Sequence, residues 1–393
     1  MLKDFPTDRS EQVAARQVSA VQAKAFAAQM ANNLFSTADE GIKLKSTTAD
    51  EIRIIEDVEA IVANGSDTVM FSVNFGNNRG FLLISGDRGD SPIVAIADSG
   101  SFHMNTLNPA ASEWIEGQKA YISARMQEEM DEETAEHSVW NGFDNDSSQV
   151  EIEFISDFQA KACNPNQTPS GKSTVYPFFG IQNKWGQGAG YNNDAKREGV
   201  PVGCPAVSIG QLCYYHWFPN DFYYMGMVQK VTNTYSNPVS KMLGAIADSI
   251  PNYTWSVNGS GANRADILIG LKRLGYSKAE LKNLSMDELY NNLKYSNPVL
   301  LRAYNNGGYN GGHIWFCDGY YEAKVQYTHR KKKWFKWTTH CTWVEYHDML
   351  YMNWGWDGNH NGWYRSDNSE NWNPGKFNLN YQQQMFVNLY PIY

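Results

Sequence analysis

The stretch Gly203-Cys204-Pro205-Ala206-Val207-Ser208-Ile209-Gly210-Gln211-Leu212-Cys213-Tyr214-Tyr215-His216 decides how the rest of the chain is read. It predicts a helix that opens on a cysteine. Val207, Leu212 and Cys213 supply an apolar side, and Gly210 leaves room for another element to approach. Pro205 suits the first helical turn, where a missing N–H costs no hydrogen bond. A helix N-terminus favours negative charge, so this position predicts a lowered thiol pKa and a reactive thiolate. Position alone fits a buried structural cysteine equally well, because free cysteine is commonly buried.

A thiol nucleophile needs a base, and the base needs a group to orient it. His216 is the nearest histidine. It lies on the same helix, about 18 Å further along at a rise of about 1.5 Å per residue, and cannot be the base. His313 is the better candidate. It follows Gly311-Gly312, which would let a substrate backbone come close, and it leads into the apolar run Ile314-Trp315-Phe316. Asn353, in Asn353-Trp354-Gly355-Trp356, could hydrogen-bond the His313 ring and fix its tautomer, with Trp354 covering that bond. Gln187, in Trp185-Gly186-Gln187-Gly188, could donate its side-chain amide to an oxyanion. Taken singly, each of these is weak. A histidine before an apolar strand is usually a core residue, and Asn-Trp-Gly-Trp is an aromatic turn.

The chain of 393 residues has room for two or three domains, and 42% hydrophobic residues suffice for a sizeable core. Residues 1–160 hold 11 Lys and Arg against 27 Asp and Glu, a net −16, whereas residues 161–393 hold 22 against 15, a net +7. Two parts with opposite fields can dock, and the acidic first part argues against nucleic acid as the main partner. The five cysteines form no Cys-x-x-Cys pair, so a zinc ribbon or dithiol redox site is not expected. Cys163, Cys213, Cys317 and Cys341 read as structural or incidental. His329, His340, Cys341, His347 and His360 match no zinc spacing, so no metal and no cofactor are expected. No run is long enough to span a membrane. Met1-Leu2-Lys3-Asp4 leads into polar sequence, so the protein is either cytoplasmic or has lost an export signal.

The pattern predicts an α+β first part. Ser10 to Phe35 has helical spacing, on which Val18, Val21, Ala25 and Ala28 can share one face. Thr68–Phe75 and Gly80–Ser85 read as a hairpin about Gly76-Asn77-Asn78-Arg79, followed by a strand over Pro92–Ala97 and a helix over Ala110–Met130. Trp140–Ser148 reads as a loop. Asp157–Ser173, with Asn164-Pro165 and Pro169-Ser170-Gly171, has linker composition and is a candidate cleavage site. The second part holds the Cys204 helix, a helix near Ala262–Leu274, and aromatic strands. Lys331–Trp337 reads as a solvated tip within a strand pair.

Four segments together resemble the streptopain family of bacterial cysteine proteases. They are Lys184-Trp185-Gly186-Gln187 with Tyr191-Asn192; Gly203-Cys204 with Gln211, Tyr215-His216 and Pro219; Gly311-Gly312-His313 with Asp318-Gly319; and Asn353-Trp354-Gly355-Trp356. Phe81-Leu82-Leu83-Ile84-Ser85-Gly86-Asp87 and Val94-Ala95-Ile96-Ala97-Asp98-Ser99-Gly100 resemble the strand pair of that family's propeptide. The resemblance implies an α+β inhibitory propeptide domain over 1–160 and a papain-like cysteine protease domain over 161–393. It implies Cys204 as nucleophile, His313 as base, Gln187 at the oxyanion, and Asn353 and Trp354 orienting and shielding His313. Gly311, Gly312 and Trp356 would meet the substrate backbone. It also implies a secreted or cell-surface bacterial zymogen, with its signal peptide absent from this chain, acting on proteins or peptides and inhibited by its own propeptide.

Two departures stand out. Pro205 follows the cysteine where the family more often has a small or branched residue. The stretch between His313 and Asn353 is longer than in streptopain, and the extra length holds Thr328–Trp343 with Lys331-Lys332-Lys333. Two other readings of the same residues are an inactive aromatic-rich module binding carbohydrate or protein, and acyl transfer to amines by a related Cys–His–Asn fold.

Overall fold

A computed structural model describes residues 13, 15–34, 53–63, 67–130, 139–144, 148–154, 174–175, 183–197, 199–304, 312–333, 336–366 and 383–391. The first part contains helix α1 (Ala20–Leu34), strands β1 (Ile55–Val62), β2 (Thr68–Phe75), β3 (Phe81–Ser85) and β4 (Ile93–Ala97), helix α2 (Pro109–Arg125) and strand β5 (Ser148–Phe154). After β6 (Thr174–Val175) come α3 (Cys204–His216), α4 (Pro238–Ser249), α5 (Arg264–Arg273), β7 (Glu280–Asn283), α6 (Met286–Lys294) and β8 (Val299–Tyr304). The chain ends in a long hairpin, β9 (Gly312–Lys333) and β10 (Lys336–Asn353), then β11 (Gly362–Arg365) and β12 (Gln384–Val387).

Strands β1 to β4 form an antiparallel meander, and its sequence dictates the turn. Asn77 and Asn78 take positive φ (62° and 56°), as a tight hairpin turn requires and asparagine tolerates. Strands β3 and β4 are buried on both faces, which is why they read as unbroken apolar runs. One face carries α2, entered through Asn108, whose Oδ1 accepts from Ala111 N at 2.9 Å, with Pro109 in the first turn. The other face carries α1.

The buried face of α1 differs from the expected one. Val21 is 79% exposed, Ala28 is exposed too, and Val18 precedes the helix. The core takes Val18, just before the helix, together with Ala23, Phe26, Ala27 and Met30. Phe26 and Met30, four residues apart, carry the largest apolar area on the helix and set its orientation. Trp140, expected in a loop, is fully buried in a 3₁₀ turn (Val139–Phe143), its ring 5.4 Å from that of Phe26.

The two parts join edge to edge. Strand β4 pairs antiparallel with β11, with Ile96 opposite Trp363 and Ala95 opposite Tyr364. A single sheet therefore runs β1-β2-β3-β4-β11-β10-β9-β8-β12-β7 among the described residues. One core lies between this sheet and α2 and includes Trp315, Met352, Trp354 and Tyr364; a second packs α3 and α4 against Leu300, Ile314 and Phe316. The expected linker Asp157–Ser173 and the boundary at residue 160 lie outside the described residues, as do Gly311 and Cys163.

Candidate active site

Helix α3 starts at Cys204 because Gly203 turns the chain sharply into it. Gly203 has φ +92°, and a Cβ there would collide with the Ser260 carbonyl and lie 2.6 Å from the Tyr253 hydroxyl. Tyr253 Oη donates to Val202 O at 2.7 Å and holds the approach. Val202 N donates to Gln187 O at 2.8 Å, so the glycine-rich loop is tied to the residues just before the cysteine. The buried Nε2 of Gln187 has no hydrogen-bond partner among the described residues. A buried amide donor left free is costly unless something else receives it.

His313 opens β9 and is almost fully buried. Its Nε2–H donates to the Trp354 carbonyl at 3.0 Å. A carbonyl only accepts, so a neutral ring must carry its proton on Nε2 and present a free lone pair on Nδ1. Trp315 lies nearly parallel to the ring, with centroids 6.2 Å apart, and Trp356 is tilted 57° to it at 5.7 Å. The Cys204 thiol takes a backbone hydrogen bond from Ile314, the residue after His313. Thiol and imidazole are thus brought to the same point where α3 meets β9.

Asn353 does something other than expected. Its side chain does not reach His313. Nδ2 donates to Asn183 O at 2.9 Å, and Oδ1 accepts from Gln211 Nε2 at 2.8 Å. Gln211 Nε2 also donates to Asn183 Oδ1 at 3.1 Å. Asn353 therefore pins the end of β10 to α3 and to the Gln187 loop, and the backbone of its neighbour holds the histidine. Trp354 is fully buried, with its indole N–H on His360 O at 2.8 Å and its amide N–H on Asn361 Oδ1 at 3.0 Å. These bonds fix the carbonyl that receives His313.

The electrostatics also correct the expected thiolate. Burial pushes the Cys204 thiol up to about 11, against the pull of backbone hydrogen bonds from Ile314 and from its own N–H. Burial lowers His313 to about 4, with the Trp354 carbonyl opposing. A thiol this high beside an imidazole this low keeps its proton. Desolvation here outweighs the helix N-terminus.

Sequence reasoning missed what lies across the site from the first part. Glu113, on α2, is pushed up to about 7 by burial, with Arg302 opposing, and its Oε2 is buried without a hydrogen bond. Both charges bear on the Cys204 thiol. Trp114 packs edge-on against Tyr364 at 4.7 Å, and Tyr364 packs against Trp354 at 5.2 Å. Asn108 Nδ2 lies 3.3 Å from His360 Nδ1. Nothing in α2 sets Glu113 apart from an ordinary solvated helix face. Cys213 and Cys317 are buried free thiols. Among the described residues no three His, Cys, Asp or Glu side chains converge as a metal site would need, and no helix is long and apolar enough to cross a membrane.

An α+β unit joined by strand pairing to a second unit that holds a thiol and a histidine near one another defines the class: a two-part chain with the fold of a protease precursor. Residues 15–122 match the family model of the Spi protease inhibitor, whose partner is by definition a protease. No curated protein matches the sequence significantly. Among solved structures, a fragment of prointerpain A from Prevotella intermedia, carrying a cysteine-to-alanine substitution, is similar in fold. It has a TM-score of 0.54 and 17% identity, over 86% of this chain and 99% of that one. The two findings support a streptopain-family zymogen, and they do not favour an inactive aromatic-rich binding module on the same fold.

Proposed function

We propose that the chain is a bacterial cysteine endopeptidase made as a self-inhibited precursor and secreted, with residues 1–160 inhibitory and 161–393 catalytic. The observation that carries this reading is the His313 Nε2–H bond to the Trp354 carbonyl, beside a thiol at the first residue of α3. That bond leaves Nδ1 as the base.

Once the first part is gone and water reaches the site, Nδ1 takes the Cys204 proton. The imidazolium stays bonded through Nε2 to a carbonyl that favours its charge. The thiolate attacks the peptide carbonyl carbon. The oxyanion is received by Gln187 Nε2 and the backbone N–H of Cys204, a helix-start donor with no intrahelical partner, which passes from the resting thiol to the oxyanion. His313 returns its proton to the leaving amine, and water, deprotonated by His313, then cleaves the thioester. Gly311 and Gly312 allow the substrate backbone to approach, with Trp356 against it. No cofactor is needed for these steps.

With the first part docked, neutral Cys204 and His313 and the cover of α2 account for latency. The test is peptide hydrolysis after removal of the first part. The wild-type chain should gain activity, and Cys204→Ala and His313→Ala chains should fold and remain inactive. Substantial turnover by Cys204→Ala would end the assignment.

A further inference from the structure

The long hairpin does more than present a charged tip. The outer edge of β9 is shared by three strands in succession. Strand β8 covers its start, from Tyr304 opposite Gly312 to Val299 opposite Cys317. Strand β6 follows, with Val175 opposite Tyr321 and Thr174 opposite Glu322. Strand β5 then runs from Phe154 opposite Val325 to Ser148 opposite Lys331. The first part thus ends on β9 and the second begins on β9, three positions apart, or about 10 Å at strand rise. Residues 155–173 connect two strands that are each already held on that edge.

The β5 contact has its own core. Ile152 is fully buried with Val325 and Tyr327 of β9, Phe26 of α1, and Trp140. Glu151 pairs with Arg330 at 2.6 Å, both half-buried. Ile152 and its neighbours form a different core from the one on which Cys204 packs.

We propose that the β9–β10 hairpin is a strand-accepting exosite whose occupant is the Ser148–Phe154 segment, and that it holds the first part on the enzyme after the connection is cut. This rests on reading residues 1–160 as the inhibitory part. Cleavage within 155–173 is then insufficient for release. The severed part stays bound by main-chain pairing on β9 and by the Ile152 contact, as well as by the contacts over the thiol. Full activation requires a second event, further cleavage of the first part or its dissociation. This role accounts for the length of β9 beyond the stretch that pairs with β8.

The test uses the full chain as Cys204→Ala, so that peptidase activity plays no part. A recognition site for a specific protease is inserted after Pro169 and cut, and dissociation of the two pieces is followed by size exclusion and surface binding. The pieces should co-migrate. Ile152→Asp should speed dissociation by ~10-fold or more, a factor equivalent to about 1.4 kcal/mol. Ile152→Ala, a milder truncation for the case that Asp prevents folding, should speed it several-fold. Immediate separation of the parent pieces would overturn the proposal. So would an off-rate unchanged in whichever Ile152 variant folds, since the hairpin would then contribute nothing to retention. The protease reading would survive either result, because it is tested at Cys204.

Discussion

Replacing Asn353 with Ala separates a residue that orients the base from one that braces the site. The structure places Asn353 in the second role. The substitution removes the Nδ2 donor from the Asn183 carbonyl (2.9 Å) and the Oδ1 acceptor from Gly355 N (3.4 Å). Gln211 Nε2 keeps its bond to Asn183 Oδ1 at 3.1 Å, so it is not orphaned. Two buried groups losing partners, at about 1–3 kcal/mol each, predict a loss of about 2–6 kcal/mol. Guanidinium unfolding of the full chain in the Cys204→Ala background measures this as a lower midpoint at constant slope. In the active background, kcat/KM of the processed enzyme should fall modestly, with the acid limb of its pH profile unmoved, because the His313–Trp354 bond remains. Unchanged stability combined with a shifted acid limb would refute the reasoning and return Asn353 to the histidine.

Gln187→Ala should lower kcat by about 10²–10³ with little change in KM, as for a lost oxyanion donor, and steady-state kinetics on a peptide substrate check it. Acid should destabilise the docked chain. Burial lowers His313, His216 and His360 to about 4 and His347 to about 3. Their contribution is therefore present above the unfolded value near 6.5 and is lost as pH falls through the folded values. Glu113 has the opposite sign, since its raised folded value makes the docked state less stable as pH rises towards about 7. Melting temperatures across pH 4–8 should fall on the acid side, and Glu113→Gln should remove the opposing loss of stability as pH rises from 4.5 to about 7. Arg365→Ala should loosen the two parts. It removes the cation that Asp90, nearly buried, meets at 3.0 Å and leaves the carboxylate, among the described residues, only the Ser85 hydroxyl at 2.9 Å, read as faster dissociation of the cut chain.

Much of the framework is written in local sequence. The Asn77-Asn78 turn, the Asn108-Pro109 entry to α2 and the Gly203-Cys204-Pro205 entry to α3 each depend on residues with strong backbone preferences. Partner choice at long range is not written in this way. The pairing of β4 with β11 and of β5 with β9 is decided by which edges are free, and strands of similar composition do not announce it. The histidine's partner was missed for a related reason. Trp354 acts through its carbonyl, which every residue possesses, so the conspicuous Asn353 side chain drew the assignment. The thiol's protonation was misread because helix position is local, whereas the desolvation that outweighs it comes from elements far away in sequence. One ion pair between the parts, Arg365–Asp90, is buried, where salt screens little. Pairs with more solvent access, such as the half-buried Arg330–Glu151, should make association faster at low salt.

The most direct test is titration with a thiol-reactive epoxide, read by intact mass and peptide mapping before and after the first part is removed. The account predicts slow or no labelling of the intact chain, where burial holds the thiol protonated. After removal it predicts one equivalent at Cys204, lost in His313→Ala. Labelling at Cys213 or Cys317 in place of Cys204, or equal labelling of Cys204 in both forms, would contradict it.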